Sequence, residues 1–192
     1  WDLQTQACLR TQALHGSEVL KVKFHSQDAN ILLSSGLGDG SVIVSRVDRE
    51  KEFLKWDVGS PVESIQWHPQ QMHMFVVGTS DGYVRAYDAR QAGNALYSFQ
   101  AHAGAECSCI AFNHHIEGLM ATGSNDKSIS LWDVRNGHKM IVNRTLGVGE
   151  VFALEFNPNN PTLLAGGGST AQELVWTITD DIKDAGFSIP SS

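Results

Sequence analysis

The chain has 192 residues, 42% of them apolar, and a formal net charge of −7. That length and apolar share can bury a sizeable core, while the acidic balance argues against a surface that grips nucleic acid all round, because each phosphate contact needs a nearby cation. No run of eighteen apolar residues occurs, which excludes a helical membrane span.

Trp1-Asp2-Leu3 reads as the end of a third strand, and Ala7 to Gln12 as an outer strand after it, so residues 1–14 are expected to be the remnant of a unit that began earlier. Four fuller units follow, at 15–57, 58–100, 101–143 and 144–192. SVIVSRV (41–47), YVRAYDA (83–89) and SISLWDV (128–134) alternate or run β-branched, as strands do and helices do not. The third unit is the fullest: a His in a small-residue loop, an apolar run through Cys107, Cys109, Ile110 and Phe112, a second run through Leu119 and Ala121, a tight turn at Asn125-Asp126-Lys127, and a third run closed by Trp132-Asp133. The tail from Thr179 is expected to fray or to add a last outer strand through Phe187 and Ile189.

The units repeat in step. The closing position holds Trp1, Ser45, Tyr87, Trp132 and Trp176, the first-strand aromatic recurs as Phe24, Trp67, Phe112 and Phe156, and the turn position six before the closing one reads Asp39, Asp81, Asp126 and Thr170. A period near 40–45 with four short strands per copy is the signature of WD-type propeller blades. The fold class is therefore all-β: a partial WD-repeat β-propeller of about four four-stranded blades plus a remnant. It is expected to be a fragment, the last four-and-a-bit blades of a ring of about seven, the alternative being that another chain supplies the missing blades, because closure is how propellers remove sheet edges.

In such blades a His, a hydroxyl, the turn Asp and the closing Trp form a hydrogen-bonded chain, which spares the carboxylate an unpaired burial. Without gaps, the alignment gives His102, Thr122, Asp126 and Trp132 in the third unit, His15, Ser35 and Asp39 in the first, and Asp81 with Tyr87 in the second, where Val58 and Val77 replace the His and the hydroxyl. The fourth unit keeps only Trp176. Asp126→Ala is accordingly expected to cost more than Asp81→Ala. These His/Asp sets are structural and not catalytic dyads. Gly36-Leu37-Gly38-Asp39-Gly40 and Gly166-Gly167-Gly168-Ser169-Thr170 suggest nucleotide loops but fall on turns with no following helix or Lys. His25 and His68 are expected to be exposed turn residues, His114 and His115 lie too far from His102 to share a metal, and no metal or cofactor is expected. Cys107 and Cys109, two apart on a strand, are expected on one face as small core residues, in an intracellular, reducing setting.

Beyond the general pattern, three segments are similar to the periodic tryptophan protein 1 family: VESIQWHPQQMHMFVVGTSDGYVRAYDAR (62–90), AHAGAECSCIAF through NDKSISLWDV (101–134), and VFALEFNPNNPTLLAGGGSTAQELVWTITD (151–180), with a Gly-Gly turn in place of the usual Asp. The resemblance runs from Trp1 to about Asp180; Ser45-Arg46 and Val175-Trp176-Thr177 depart from it. It implies the family's last blades, a nucleolar or nuclear scaffold in ribosome assembly, chiefly of the large subunit, and no enzymatic activity. The candidate partner-binding residues are Ser17, Glu18, Gly38, Pro61, Ser80, Ala103, Glu106 and Asn125, beside the opening loops and turns. With Asp57 and Glu63 nearby, Glu18 and Glu106 suit a basic peptide or ribosomal protein tail. The alternatives are contact with ribosomal RNA, for which Arg46 to Lys55 is the best stretch, and a chromatin or histone adaptor, for which the top loops offer no aromatic cage.

Overall fold

The computed structural model describes Cys8 and residues 11–135 and 137–189. Four antiparallel sheets follow one another along the chain. The first sheet is β1 (Val19–Phe24), β2 (Ile31–Gly36), β3 (Ser41–Arg46) and β4 (Phe53–Asp57). The second is β5 (Val62–Trp67), β6 (Met74–Thr79), β7 (Tyr83–Asp88) and β8 (Tyr97–Gln100). The third is β9 (Cys107–Phe112), β10 (Leu119–Ser124), β11 (Ser128–Asp133) and β12 (Lys139–Thr145). The fourth has three strands, β13 (Val151–Phe156), β14 (Leu163–Gly168) and β15 (Glu173–Thr177), before α1 (Thr179–Asp184). Each is an up-and-down meander, the order that short turns between consecutive strands enforce.

The inner strands β1, β5, β9 and β13 stand side by side, and the sheets stack face to face through their apolar residues. One core lies between the first and second sheets, where Leu33, Val42 and Trp56 meet Trp67, Phe75 and Tyr87. A second joins Met74, Val76 and Val84 to Phe112, Met120 and Trp132, and a third joins Leu119, Ile129 and Leu131 to Phe156, Leu164 and Trp176. Period-two alternation divides each strand between two cores: residues at one phase face the sheet before, those at the other the sheet after. The first-strand aromatics hold one register, Phe24 opposite Leu32, Trp67 opposite Phe75, Phe112 opposite Met120 and Phe156 opposite Leu164. Trp67, Phe112 and Phe156 are buried under the preceding sheet, whereas Phe24, with no sheet before it among the described residues, is 63% exposed.

Two expectations are corrected. Cys107 and Cys109 lie in different cores because the inner strand shifts register between them, and the same irregularity recurs at Val19/Lys21, Val62/Ser64 and Val151/Ala153. A bulge adds one residue to a strand, so residues two apart no longer share a face. The tail forms α1 instead of fraying or adding a strand: Ile178, Ile182 and Phe187 are buried in the third core. Arg135 lies 3.9 Å over the Phe187 ring, and Arg144 pairs with Asp181 at 2.6 Å. The remnant blade falls largely outside the described residues; Cys8 and residues 11–14 carry no strand.

Candidate functional site: the loop edge and its hydrogen-bond networks

In the third blade the turn carboxylate sets every proton position. Asp126 accepts from the Ser128 N–H (2.7 Å) and from Nδ1 of His102 (3.2 Å). An ionised carboxylate only accepts, so Nδ1 carries the proton and Nε2 of the neutral ring accepts from the Thr122 hydroxyl (2.9 Å). Thr122 Oγ1 in turn accepts from the Trp132 indole N–H (2.9 Å). Asn143 extends the chain by donating to Ser128 (3.1 Å) and Ser130 (2.8 Å). Burial pushes the His102 pKa down against the pull of Asp126, which keeps the ring neutral. Burial would raise the Asp126 pKa, but hydrogen bonds from Ser128 and the nearby His102 bring it down.

Blade two positions this His from behind. Gly82 O accepts from both Ala101 N (2.9 Å) and His102 N (3.0 Å), and a Cβ on Gly82 would meet His102 O at 1.8 Å. The residue after each turn Asp is left-handed, Gly40 at φ +65, Gly82 at +80 and Lys127 at +75. Two of the three blades put glycine there, as that conformation favours.

In the first blade the hydroxyl is Ser34 and not Ser35. His15 Nε2 contacts Ser34 Oγ at 2.7 Å, and Nδ1 reaches Asp39 through Ser41, whose Oγ lies 3.1 Å from the ring and donates to Asp39 at 2.9 Å. Ser35 Oγ is fully buried with no partner among the described residues. The cause is a pair of compensating length changes. Four residues separate β2 from β3 where three separate β10 from β11, while the loop from His15 into β1 is one shorter than that from His102 into β9. The gapless sum hides both, and a one-residue slip turns a side chain to the other face.

The second blade uses a residue the repeat pattern did not single out. Arg85 donates to Asp81 through Nη1 (3.2 Å) and Nη2 (2.7 Å) and to Thr79 Oγ1 (2.8 Å), and Thr79 donates to Asp81. Burial would raise the Asp81 pKa, but the guanidinium and the Thr79 hydroxyl hold it at about 2. A missing His with an Arg two residues before the closing Tyr87 was the available signal. In the fourth blade Ser169 accepts from Glu150 N at 2.9 Å, and Arg144 lies 5.5 Å over the Trp176 ring.

At the opposite edge, His68 is buried against Phe112 (ring centroids 4.9 Å) and His25 is half-buried edge-on to Trp67 (4.7 Å), contrary to their expected exposure. The reason is capping. His25, His68, Asn113 and Asn157 each accept from the two backbone N–H groups that follow, and His25 and Asn113 also donate to the next blade, at Met72 O and Pro161 O (both 2.7 Å). A cavity of about 420 Å³ opens where the ends of the four inner strands converge, lined in part by Lys23, Gln66, Trp67, Phe112, His114 and Glu155.

The eight candidate contact residues gather on the His/Asp edge. Glu18 O accepts from Leu37 N beside Gly38, Pro61 O accepts from Ser80 N, and Asn125 Oδ1 accepts from Glu106 N. Glu18, Gly38 and Ala103 are exposed, and Ser17, Pro61, Ser80, Glu106 and Asn125 are half-buried. Burial, with Glu106 adding to it, raises the Glu63 pKa, and Lys21 opposes. Among the described residues, no Arg or Lys ion pair holds Glu18, Glu63, Glu106 or Glu150. The described arginines are differently placed: Arg46, Arg49, Arg85, Arg90, Arg135 and Arg144 each pair with a carboxylate at 2.6–3.0 Å.

Among the described residues no group of three His, Cys, Asp or Glu side chains could hold a metal. Burial lifts the Cys109 thiol to about 12 and Cys107 higher than its ordinary value, which leaves neither as a thiolate nucleophile.

A family model, the WD40 domain of anaphase-promoting complex subunit 4, matches residues 25–115. The chain is 30% identical over 173 residues to the periodic tryptophan protein 1 homolog of Drosophila melanogaster, covering 88% of this chain and 37% of that protein. It is 35% identical over 130 residues to the uncharacterized WD repeat-containing protein C17D11.16 of Schizosaccharomyces pombe, covering 66% of this chain and 25% of that one. It is 23% identical over 166 residues to Protein SOF1 of Saccharomyces cerevisiae, covering 86% and 33%. The chain thus spans 25% to 37% of the length of these relatives. Blade order, stacked antiparallel sheets and these likenesses agree: the chain is a WD-repeat protein, a partial β-propeller that resembles periodic tryptophan protein 1.

Proposed function

We propose that the chain is a non-catalytic interaction platform for a basic protein segment, serving in ribosome assembly, chiefly of the large subunit, in the nucleolus or nucleus. The ribosomal part rests on the resemblance to periodic tryptophan protein 1. The mode of contact rests on one observation: Glu18, Glu63, Glu106 and Glu150 have no Arg or Lys ion pair among the described residues and share one edge, at or just before the starts of the four inner strands. A basic tail laid along that edge supplies the missing countercharge. The RNA reading is less favoured, because every described arginine is already held by a carboxylate, including those in the Arg46–Lys55 stretch. A Lys/Arg-rich ribosomal-protein tail peptide should bind with an affinity that falls with salt, and Glu106→Lys should weaken it about tenfold, the size of one lost charge-assisted contact. Binding that ignores both salt and Glu106→Lys refutes the platform as drawn. Salt-steep binding of bare RNA by the unmodified chain favours the RNA reading instead.

A further inference from the structure

Between neighbouring sheets, the segment that follows the third strand of the later blade reaches back over the cleft. Blade three sends His138, whose ring packs on Tyr97 (centroids 4.1 Å) and Phe99 (4.9 Å) of β8. Blade four sends Ile182 and Phe187 into the third core. Blade two sends only alanines: of the connection 89–96, Ala89 and Ala95 pack against the core between the first and second sheets. A cavity of about 420 Å³ is left in that cleft, lined in part by Ile31 and Val44 of the first sheet and Trp67, Met72, Ala89 and Arg90 of the second. The volume falls within the roughly 300–1,000 Å³ of pockets that hold small ligands. Both sheets that wall it have their four strands.

The walls select what fits. Met72 is 50% exposed and brings a thioether, which packs favourably against aromatic rings. Arg90 holds Asp88 through Nε (2.9 Å) and Nη2 (2.6 Å), the same two bonds that Arg135 makes to Asp133 (2.9 and 2.7 Å). Blade three adds what blade two lacks. The Arg135 guanidinium lies 3.9 Å over the Phe187 ring, whereas among the described residues no ring lies under Arg90. The Arg90 side chain is accordingly 64% exposed, against 37% for Arg135. A guanidinium held in plane by a carboxylate keeps its faces free, and an aromatic ring is the uncharged group that such a face attracts. An aliphatic side chain fills the same space without that gain.

We infer that the cavity between the first and second blades takes an aromatic side chain from a segment of a partner protein, its ring against Met72 and the Arg90 guanidinium, as Phe187 lies against Arg135. His25 also lines this cavity, at the edge opposite the turn carboxylates, so the inference is independent of the acidic loop edge.

The test adds short peptides, Gly-Ser-X-Ser-Asn-Gly with X as Phe, Tyr, Leu or Ala, to the full chain carrying methyl-labelled methionine, and follows the Met72 methyl by NMR. The Phe and Tyr peptides should move that signal by ring current and bind tighter than the Leu peptide by about threefold, the size of one exposed cation–π contact. Arg90→Gln should weaken the Phe peptide about threefold and leave the Leu peptide unchanged. Ala89→Phe fills the cavity from within and should abolish binding; should that variant fail to fold, the Arg90→Gln comparison decides alone. Three results overturn the proposal: no aromatic peptide moves the Met72 methyl at millimolar concentration, Arg90→Gln weakens the Phe and Leu peptides equally, or the Met72 methyl is already ring-shifted in the free chain and unresponsive, which would mean that another segment or a second copy of this chain fills the cavity.

Discussion

Two adjacent serines on β2 separate the observed register of the first blade from the one that counting suggests. Ser34→Ala removes the partner of His15 Nε2 at 2.7 Å, and the ring is half-buried, so the loss is that of one hydrogen bond, about 1 kcal/mol. Ser35→Ala removes a hydroxyl that is fully buried and has no partner among the described residues. Its desolvation already counts against the folded state, by about 1–3 kcal/mol. Deleting it should leave stability unchanged or raise it by up to about 1 kcal/mol, the small void left by one oxygen offsetting part of the gain. The pair should therefore differ by about 1–2 kcal/mol in urea unfolding, with parallel slopes, and by about 2–8 °C in midpoint temperature for a chain of this size. A Ser35→Ala variant that loses as much as Ser34→Ala would show that the network runs through Ser35, and the slipped register would be wrong.

Asp81→Ala is expected to cost as much as Asp126→Ala, about 1–2 kcal/mol each after allowing for partial exposure, because Arg85 is left with a half-buried, unpaired guanidinium; double the loss at Asp126 on chemical unfolding would restore the ranking expected from sequence. Burial lowers the pKa of His102 from 6.5 in the folded chain, so the unfolded chain takes up a proton the folded one refuses. That contribution is whole above pH 6.5 and shrinks as the pH falls below it, as it does for His15 and His68, which shift the same way. His102→Gln should lose less stability than the parent between about pH 7.5 and pH 5.5, and an identical pH slope in the two proteins contradicts this.

The strands were legible because each blade closes on an aromatic or small residue at a nearly fixed step and turns six residues earlier, and backbone pairing follows from such spacing. Three features were hidden for physical reasons. Compensating one-residue changes around β1 and β2 cancel in any count from His15 to Ser45, so only the pairing of Leu32 with Ser45 exposes the shift to Ser34. The bulges on the inner strands carry no residue type in common, Leu20, Glu63, Ser108 and Phe152 being the extra ones. The helix in the tail is only six residues long, too short for a helical period to stand out, and Ile178 and Ile182 four apart with Asp180, Asp181 and Lys183 at its ends are its sole marks.

The blades differ in how they keep a turn carboxylate ionised near a packed interface, and the differences fall where the loop edge must be rigid. A neutral His relays Asp126 to Thr122 and Trp132, a Ser inserts between His15 and Asp39, and Arg85 replaces the His for Asp81. The fourth blade has Thr170 where the Asp would stand and so needs no such donor. There Gly168 brings its backbone so close to the opening loop that a Cβ would meet Glu150 O at 2.0 Å, and Ser169 ties the two by its hydroxyl. A charge network backs the opening loop in three blades, joined in the third by the close backbone approach of Gly82, whereas the fourth has close backbone contact and a hydroxyl without a charge. Salt or acid should therefore loosen the first three opening loops before the last, and Glu150 should keep its place when Glu18 and Glu106 begin to move.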